Sequence, residues 1–415
     1  MTGEQKTNAV GSSSAQNWLN RNVIGMGITS FLSDASHEMA TAVLPGFLTV
    51  IGAPPSALGF IEGTADALSS FVKLWSGWIS DRLGRRKTFA TAGYFLTGIA
   101  MAAFAFASTW VLVLIARIVG WVGRGFRGPI RDAMLADSVD VSARGKAFGI
   151  HRAGDTLGAI IGPLLGVWLF SVWRETVSIA PSRPFRNIFL MTLLPGILSA
   201  IVFYVTVIET PRAGNPRLQF WGTVQNFPRR FKAFLIGVGV FGLGDFAPTF
   251  LILAATTILQ PKYGIMKAAQ LAGLMYVVRN VTYAGAAYPI GALSDHVGRK
   301  AILIGGYALG TITIAGFAAA FIFNCTNLVC LFTLFGSAGI FIASEDTLES
   351  AMTADFISTE TRGIGMGVLG TVNGLGDFGS SIIVGLLWAT ISPVAAFAFA
   401  ASVMALGTGF LMYAQ

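Results

Sequence analysis

Ionisable side chains stand at helical spacing inside segments that are otherwise apolar. Asp34, His37 and Glu38 occupy positions i, i+3 and i+4 of one such segment, so they share one face of a helix. Glu62 and Asp66 lie four residues apart in the next apolar segment and also share a face. Burial disfavours the charged form of a carboxyl group, so such a group can take up and release a proton. The pattern predicts proton coupling, cation recognition or both. The alternative is that these side chains lie in water at the end of the segment, or form pairs that serve only the structure.

Another apolar segment carries four arginines on one helix face. Arg117, Arg124, Arg127 and Arg131 follow one another at steps of seven, three and four residues. Four cations on one face cannot all lie against lipid, so they must line water or pair with acids. Lys73 lies near the end of its own segment, where its side chain can extend to the membrane surface.

These residues belong to a strongly apolar chain. Of its 415 residues, 54% are hydrophobic and only 12% are charged, and 50 are glycines. Soluble domains carry about a quarter charged residues, whereas small residues let membrane helices pack closely. A soluble α/β protein is the rival, but its buried strands would be only about 4–8 residues long. Segments of the length that a membrane helix needs can be placed at 21–47, 56–79, 88–107, 109–131, 145–173, 186–208, 233–259, 268–292, 301–323, 327–351, 361–390 and 394–413.

The polar connections between these segments indicate the topology. Residues 210–232 are the longest polar break and are expected to form a cytoplasmic connector between a first half, 21–209, and a second half, 233–415. Residues 1–20 are expected to be a flexible cytoplasmic tail rather than a signal peptide. Cations concentrate in alternate loops, which predicts that both termini are cytoplasmic. The net charge of +8 is therefore an orientation signal and does not indicate nucleic-acid binding.

Cys325 and Cys330 either pair on an oxidising face or act as small apolar fillers.

Two pairs of repeated motifs relate the two halves. GWISDRLGRRK at 77–87 returns in shorter form as GALSDHVGRK at 291–300, and residues 132–149 align with residues 350–367. The pattern G-x-x-x-D-R-x-G-R-R-K resembles the signature loop between spans 2 and 3 of the major facilitator superfamily, and the shorter copy matches its loop between spans 8 and 9. The resemblance implies an all-α polytopic membrane protein with 12 transmembrane helices in two pseudo-symmetric six-helix bundles, with a site between them.

The signature loop is expected to hold the two halves together on the cytoplasmic side. By resemblance to the family, Asp81 would face the start of span 11 near Arg362, where the helix end is partly positive. The residues assigned to this loop and its counterparts are Gly77, Asp81, Arg82, Gly84, Arg85, Arg144, Asp295 and Arg362.

The alignment of the halves also predicts a gate. Arg127 falls opposite Glu345, and Arg131 falls opposite Glu349. Ion pairs between the halves would close the cytoplasmic gate and break when it opens. The alternative is that each charge pairs within its own half, for instance Arg131 with Asp132, since buried pairs also occur for structure alone.

A glycine-rich string in span 5 bears on the direction of transport. GAIIGPLLG resembles the G-x-x-x-G-P-x-x-G motif of drug and proton antiporters, with Gly158, Gly162, Pro163 and Gly166 at the motif positions. The resemblance favours export, although helix packing through small residues alone would produce much of the same string.

Symmetry adds further polar residues to the predicted cavity. Asp155 and Asp377 precede matching positions of spans 5 and 11, and Asp34 falls opposite Asp245. Arg117 resembles the arginine of the family's R-x-x-Q-G motif, but glycine and tryptophan follow where glutamine and glycine are expected, which weakens a coupling role. The full predicted cavity set is Asp34, His37, Glu38, Glu62, Asp66, Arg117, Arg124, Asp155, Asp245, Arg279, Asn280, Asn373 and Asp377.

The function predicted from the sequence is secondary active transport by alternating access. Proton-coupled export (antiport) of a small organic solute or drug comes first. The alternatives are a divalent transition-metal exporter that uses Asp34, His37 and Glu38 as ligands, and a non-transporting membrane sensor or scaffold. An enzyme is not expected because no phosphate loop, nucleophile motif or metal-binding spacing appears. The expected partners are a small-molecule or ion substrate, protons and the bilayer of the inner membrane, with no cofactor and no nucleic acid, and the chain is expected to be a monomer.

Overall fold

The computed structural model describes residues 18–83, 86–139, 144–173, 180–209, 220–357 and 362–413. Within these ranges the regular elements are thirteen α-helices and one short 3-10 helix. The predicted tail lies outside the described residues up to residue 17, as does the connector over 210–219. Gly84 and Arg85 of the signature loop also lie outside them. The structure also does not describe the other side chains assigned to that loop and its counterparts. These are Asp81, Arg82, Arg144, Asp295 and Arg362, and Gly77 belongs with them.

Six long helices form the first half. They are α1 (Arg21–Val50), α2 (Pro55–Leu83), α3 (Arg86–Ala103, followed by the 3-10 helix Phe104–Phe106), α4 (Trp110–Asp137), α5 (Arg144–Val172) and α6 (Arg183–Thr206). The start of α1 is capped by Asn20, whose side-chain oxygen accepts from the backbone N–H groups of Asn22 and Val23 at 2.9 and 3.1 Å. The helices coincide with the six spans predicted for this half.

The second half begins with a short helix and continues with longer ones. Its elements are α7 (Phe220–Gln225), α8 (Arg229–Gly242), α9 (Thr249–Val297), α10 (Arg299–Ile322), α11 (Leu328–Phe356), α12 (Arg362–Thr390) and α13 (Pro393–Tyr413). Together with the first half, these elements make up the all-α fold predicted from the sequence.

Two boundaries in the second half differ from the prediction. The segment predicted as one span over 233–259 is broken between α8 and α9, where residues 243–248 are not helical. The turn predicted between residues 259 and 268 is reduced to a kink in α9 at Gly264, whose φ of 73° is readily adopted only by glycine. Apolar periodicity does not reveal either feature, because both depend on backbone conformation rather than on hydrophobicity.

The helices of each half pack mainly on one another, and the halves meet along two seams. Helix α2 packs against α12, and the part of α9 after Gly264 packs against α1 and α5. Among the described residues, α4 and α5 make no extended packing contact with α11 or α12. We call the end of the bundle where α1 begins the terminal face and the other end the opposite face. The halves are thus in contact near the opposite face and apart between α4–α5 and α11–α12.

In the part of the chain that the structure describes, seven helical segments are long and apolar enough to cross a membrane by length and composition. They cover residues 86–106, 150–172, 183–206, 299–322, 328–353, 365–390 and 393–413. Helices α1, α2 and α4 are not among them because the acids and arginines that they carry lower their mean hydropathy. Helix α4 packs against both α2 and α1, and α1 and α2 also contact the second half, so the charges of these helices are held inside the bundle.

Glycines let α5 lie directly against α1. A Cβ atom on Gly158 would come within 2.6 Å of the carbonyl oxygen of Phe31, and one on Gly162 within 2.5 Å of that of Ala35. Such distances are shorter than any ordinary van der Waals contact, so only glycine allows this approach. The close seam sets the register that places the polar residues of α5 beside those of α1.

Candidate functional site

Asp34 on α1 lies between two arginines of α4. Its Oδ1 atom is 3.8 Å from Nη1 of Arg124 and 3.8 Å from Nη2 of Arg127. Arg127 also donates to the hydroxyl of Ser33, and its guanidinium lies 4.3 Å from the ring centre of Tyr94. The charged faces predicted for α1 and α4 are therefore turned toward each other.

The ion pair between Glu62 and Arg117 is almost completely buried. Nη2 of Arg117 lies 2.9 and 2.8 Å from the two carboxylate oxygens of Glu62, and Nε donates to one of them at 3.2 Å. Each residue is only 2% exposed, so neither charge could be solvated without the other. The pair fastens α2 to α4 and neutralises two of the predicted cavity residues.

Trp121 connects three of the predicted residues, although the sequence reasoning did not select it. The guanidinium of Arg117 lies 4.0 Å from its ring centre, its indole N–H donates to Asp66 at 2.5 Å, and the ring of His37 is 4.6 Å away. Its position one helical turn after Arg117 was the available signal. The tryptophan thus fills the place of the motif residues that this chain lacks.

The acids and the histidine of α1 have separate partners. Oε2 of Glu38 accepts a hydrogen bond of 2.9 Å from the hydroxyl of Tyr276, which belongs to α9 in the second half. His37 lies 3.5 Å from the hydroxyl of Thr41 and 4.0 Å from Glu38. No three His, Cys, Asp or Glu side chains of the described residues converge as metal ligands would. The divalent-metal alternative stays a hypothesis from the sequence.

Asp155 on α5 belongs to a polar chain that includes a further residue missed from the sequence, His151. Nδ1 of His151 lies 3.4 Å from Oδ2 of Asp155, and Nε2 lies 2.6 Å from the hydroxyl of Ser30 on α1. The spacing of four residues between the histidine and the aspartate was the signal that could have identified the pair. The chain lies along the glycine seam between α1 and α5.

The break between α8 and α9 carries Asp245. The hydroxyl of Ser380 on α12 donates to the backbone carbonyl of Asp245, and the hydroxyl of Ser381 accepts from the N–H of Ala247 at 3.1 Å. These two serines supply hydrogen bonds that a continuous helix would have made within itself. The break is therefore stabilised from α12 and lies about halfway along the bundle.

Two acids of α11 lie near this break. Glu349 accepts hydrogen bonds from the hydroxyl of Tyr307 and, at 2.7 Å, from the side-chain amide of Asn373. Glu345 is 8% exposed, and its Oε2 atom has no hydrogen-bond partner among the described residues. The predicted residues Asn373 and Asp377 of α12 complete this region.

Arg279 and Asn280 lie where α9 meets the first half. Nη1 of Arg279 donates to the side-chain oxygen of Asn280 at 3.0 Å, and the amide of Asn280 donates to the carbonyl of Ala159 on α5 at 2.7 Å. With the bond from Tyr276 to Glu38, this second bond ties α9 to the first half.

The predicted inter-half ion pairs of the gate are not formed in this structure. Arg131 pairs with Asp132 of its own helix at 2.9 Å, which is the alternative considered from the sequence. Arg127 is held by Ser33 and Asp34, also within its own half. Because α4 and α11 are apart, the pairs with Glu345 and Glu349 stay a prediction for a conformation that is closed toward the terminal face.

Comparison with known proteins gives consistent matches along the chain. The family model described as Major Facilitator Superfamily matches residues 26–269 and 234–414. An uncharacterised MFS-type transporter of Methanocaldococcus jannaschii is 32% identical over 397 residues, which cover 95% of this chain and 94% of that protein.

Two further matches concern transporters with named substrates. A mutant of the nucleoside transporter NupG has a similar fold, with a TM-score of 0.77 at 14% identity, over 95% of this chain and 99% of that chain. A multi-drug resistance efflux pump of Streptococcus pneumoniae is 28% identical over 142 residues, which are 33% of this chain and 35% of the pump.

Proposed function

This chain belongs to the major facilitator superfamily, and we propose that it is a proton-coupled exporter that works by alternating access. The solute that it exports would be a small organic molecule. The face where α1 begins would be cytoplasmic, as the concentration of cations in alternate loops indicates, and the membrane would be the inner membrane of the cell.

The hydrogen bond between Glu38 and Tyr276 is the observation that carries the proton coupling. It joins a carboxyl group on α1 to a hydroxyl group on α9, so it lies across the interface between the halves. A hydrogen bond to a charged carboxylate is roughly twice as strong as one between neutral groups. Loss of the charge on protonation therefore weakens a contact that keeps the opposite face closed.

The same hydrogen bond gives the coupling a direction, because linkage between binding and conformation is reciprocal. While Tyr276 donates to Glu38, the charged form of the carboxyl is stabilised. When the opposite face opens, the hydroxyl moves away and the carboxyl becomes accessible to protons from that side. When the face closes, Tyr276 returns and the proton is released toward the cytoplasm. Inward proton flow of this kind can drive a solute outward.

Export rather than uptake is supported by two observations. The string around Gly158, Gly162 and Gly166 resembles the motif of drug and proton antiporters, and in the structure these glycines line the seam between α5 and α1. One third of the chain is also similar to a multidrug efflux pump. A solute from the cytoplasm would enter between α4–α5 and α11–α12, where the halves are not packed together.

Transport in proteoliposomes with and without a pH gradient tests this proposal. A panel of radiolabelled organic solutes would be assayed for gradient-driven accumulation with the wild type, Glu38→Gln and Tyr283→Phe. The control Tyr283→Phe removes a tyrosine-to-carboxylate bond of 2.9 Å, to Asp346, that lies within the second half. We expect Glu38→Gln to exchange solute across the membrane but to lose accumulation, because its amide cannot carry the proton. Full accumulation by Glu38→Gln would contradict the assignment of Glu38.

A further inference from the structure

The carboxyl groups of the two halves differ in their partners. In the first half, Asp34, Glu62, Asp66 and Asp155 each lie beside an arginine, a histidine or an indole N–H. In the second half, three buried or half-buried acids have no cation within 4.0 Å of their carboxyl groups, and no side chain outside the three donates to these groups, among the described residues. These three acids, which we call the second-half acid cluster, are Asp245, Glu345 and Asp377.

The second-half acid cluster combines residues from three elements. Asp245 comes from the break between α8 and α9, Glu345 from α11 and Asp377 from α12. Asp245 and Glu345 are close enough to share a hydrogen bond, and both lie within electrostatic range of Asp377. Residues so distant in sequence converge only because α11 and α12 both pass the break.

A missing donor is indicated independently by the side chain of Glu345. Its Oε2 atom is fully buried and makes no hydrogen bond within the described residues, although the whole residue is only 8% exposed. Buried polar atoms are nearly always hydrogen-bonded, because an unpaired one costs free energy. A ligand that donates hydrogen bonds and carries positive charge would supply the missing donor.

The cations nearest to the cluster do not take this role. Arg279 lies within electrostatic range of Asp245 but forms no ion pair with it; its Nη1 donates to Asn280, and its buried Nε has no hydrogen-bond partner among the described residues. Lys73 of α2 lies within electrostatic range of Asp377, and its side chain is exposed. Each therefore leaves its carboxyl group available to a bound molecule.

The spacing of the cluster distinguishes between kinds of cation. A divalent metal needs several ligand atoms around one point at about 2.0–2.6 Å, and no group of three such side chains among the described residues meets this need. Carboxyl groups that are neighbours without converging suit a larger cation with several N–H donors. An amine or a guanidine of an organic molecule has this chemistry.

We propose that Asp245, Glu345 and Asp377 form the subsite for the positively charged nitrogen group of the transported molecule, so that the substrate is an organic cation. This inference rests on the proposed export of an organic solute and adds the substrate class.

Equilibrium binding to the purified protein in detergent tests the subsite without any gradient. Ethidium, a permanent cation with two aryl amines, and agmatine, which carries an amine and a guanidine, serve as probes, and fluorescein serves as the anionic comparison. We expect Glu345→Gln and Asp245→Asn each to weaken binding of the cations at least tenfold. Asp377→Asn is a third variant, and the melting temperature of each protein shows that it is folded. Fluorescein is expected not to compete.

The matched control is Asp355→Asn, near the end of the same helix as Glu345. Its carboxyl pairs with Arg299 at 2.7 Å and is 58% exposed, so cation binding should be unchanged.

The inference is overturned if neither cation binds the wild type, if all three cluster variants bind as the wild type does, or if fluorescein binds equally well. If the cations bind as expected but no gradient-driven accumulation occurs, the proposed export fails while the subsite stands. If an anionic or neutral solute accumulates with the gradient and the cations do not bind, the subsite alone fails.

Discussion

The residues of this protein show how buried charges are tolerated inside a bundle of apolar helices. Arg117 donates to Glu62 through Nε and Nη2 in two parallel hydrogen bonds, and its guanidinium lies against the ring of Trp121, so each charge has a polar partner and the guanidinium has an aromatic one. Removing water from such a pair costs free energy that only good geometry offsets. Loss of one partner should therefore cost more than loss of both.

Arg117→Met should lower the free energy of unfolding by about 3–5 kcal/mol, because it leaves the carboxylate of Glu62 buried without a partner. The double variant with Glu62→Gln should recover part of that loss, since no charge then remains buried. Thermal melting of the purified variants in detergent measures both effects.

Arg131→Met is the control for this prediction. Its partner Asp132 is 46% exposed, so water can solvate that carboxylate once the arginine is lost, and the loss should be smaller than for Arg117→Met. An Arg117→Met protein as stable as the wild type would show that the carboxyl of Glu62 does not depend on the arginine.

At the scale of the helices, small residues decide how closely elements can approach. In the seam between α5 and α1, the three glycines of the predicted antiporter-like motif are not equivalent. A Cβ atom on Gly162 would lie 2.5 Å from the backbone oxygen of Ala35, whereas one on Gly166 would lie 3.3 Å from both the side chain and the backbone oxygen of Met39, a contact that a shift of a few tenths of an ångström would relieve.

Gly162→Ala should therefore destabilise the protein by about 1–3 kcal/mol, the usual cost of overpacking, and Gly166→Ala by clearly less. Gly128→Ala in α4 is the matched control, because its Cβ would have no atom within 4 Å and alanine favours the helix. Melting temperatures of the three variants measure the order. Equal decreases in melting temperature for Gly162→Ala and Gly166→Ala would contradict this order, because they would mean that α5 and α1 can move apart to accommodate the added methyl group.

The break between α8 and α9 is a second feature of this scale. Glycines at 242 and 244 and a proline at 248 mark it in the sequence, yet the segment has the length and apolarity of a single span. The break persists because serines of α12 supply the hydrogen bonds that the backbone would otherwise lack. A prediction made from one segment of the sequence cannot take account of hydrogen-bond partners that lie on another helix.

At the scale of the whole molecule, the two halves are joined near the opposite face and separated between α4–α5 and α11–α12. The contact of α1 with α9 buries Ala269, which lies against Gly46. Tyr276 and Asn280 of the same part of α9 hold the first half through two hydrogen bonds. Opening of the opposite face must break these contacts and expose Ala269.

Tyr276→Phe should increase opening of the opposite face about tenfold or more, because a hydrogen bond to a charged group contributes about 1.5–3 kcal/mol. A membrane-impermeant maleimide should accordingly label Ala269→Cys about ten times faster or more when Tyr276→Phe is added, in a background with Cys325→Ser and Cys330→Ser. Native Cys330, which is exposed, is the reference thiol in a separate protein with Cys325→Ser, and its labelling should not change with Tyr276→Phe. An unchanged rate at Ala269→Cys would contradict a role of Tyr276 in closing this face.

The amino-acid sequence alone determined the class of the protein. The length of the apolar segments, the repeated loop motif and the ionisable residues at helical spacing were sufficient to predict an all-α membrane fold of two halves. They also placed acids and arginines on shared helix faces, and the structure brings Asp34 to Arg124 and Glu62 to Arg117. These features are local, because helix periodicity dictates which residues share a face.

Only the tertiary structure decided which faces meet. Glu38 and Tyr276 are 238 residues apart, Trp121 replaces the motif residues beside Arg117, and Asp245, Glu345 and Asp377 approach one another from three elements. The partner of a helix face depends on how side chains of distant helices fit together, including the glycines that permit close approach. Hydrophobic periodicity within a segment contains no information on that fit, since every helix in lipid satisfies its own backbone regardless of its neighbours.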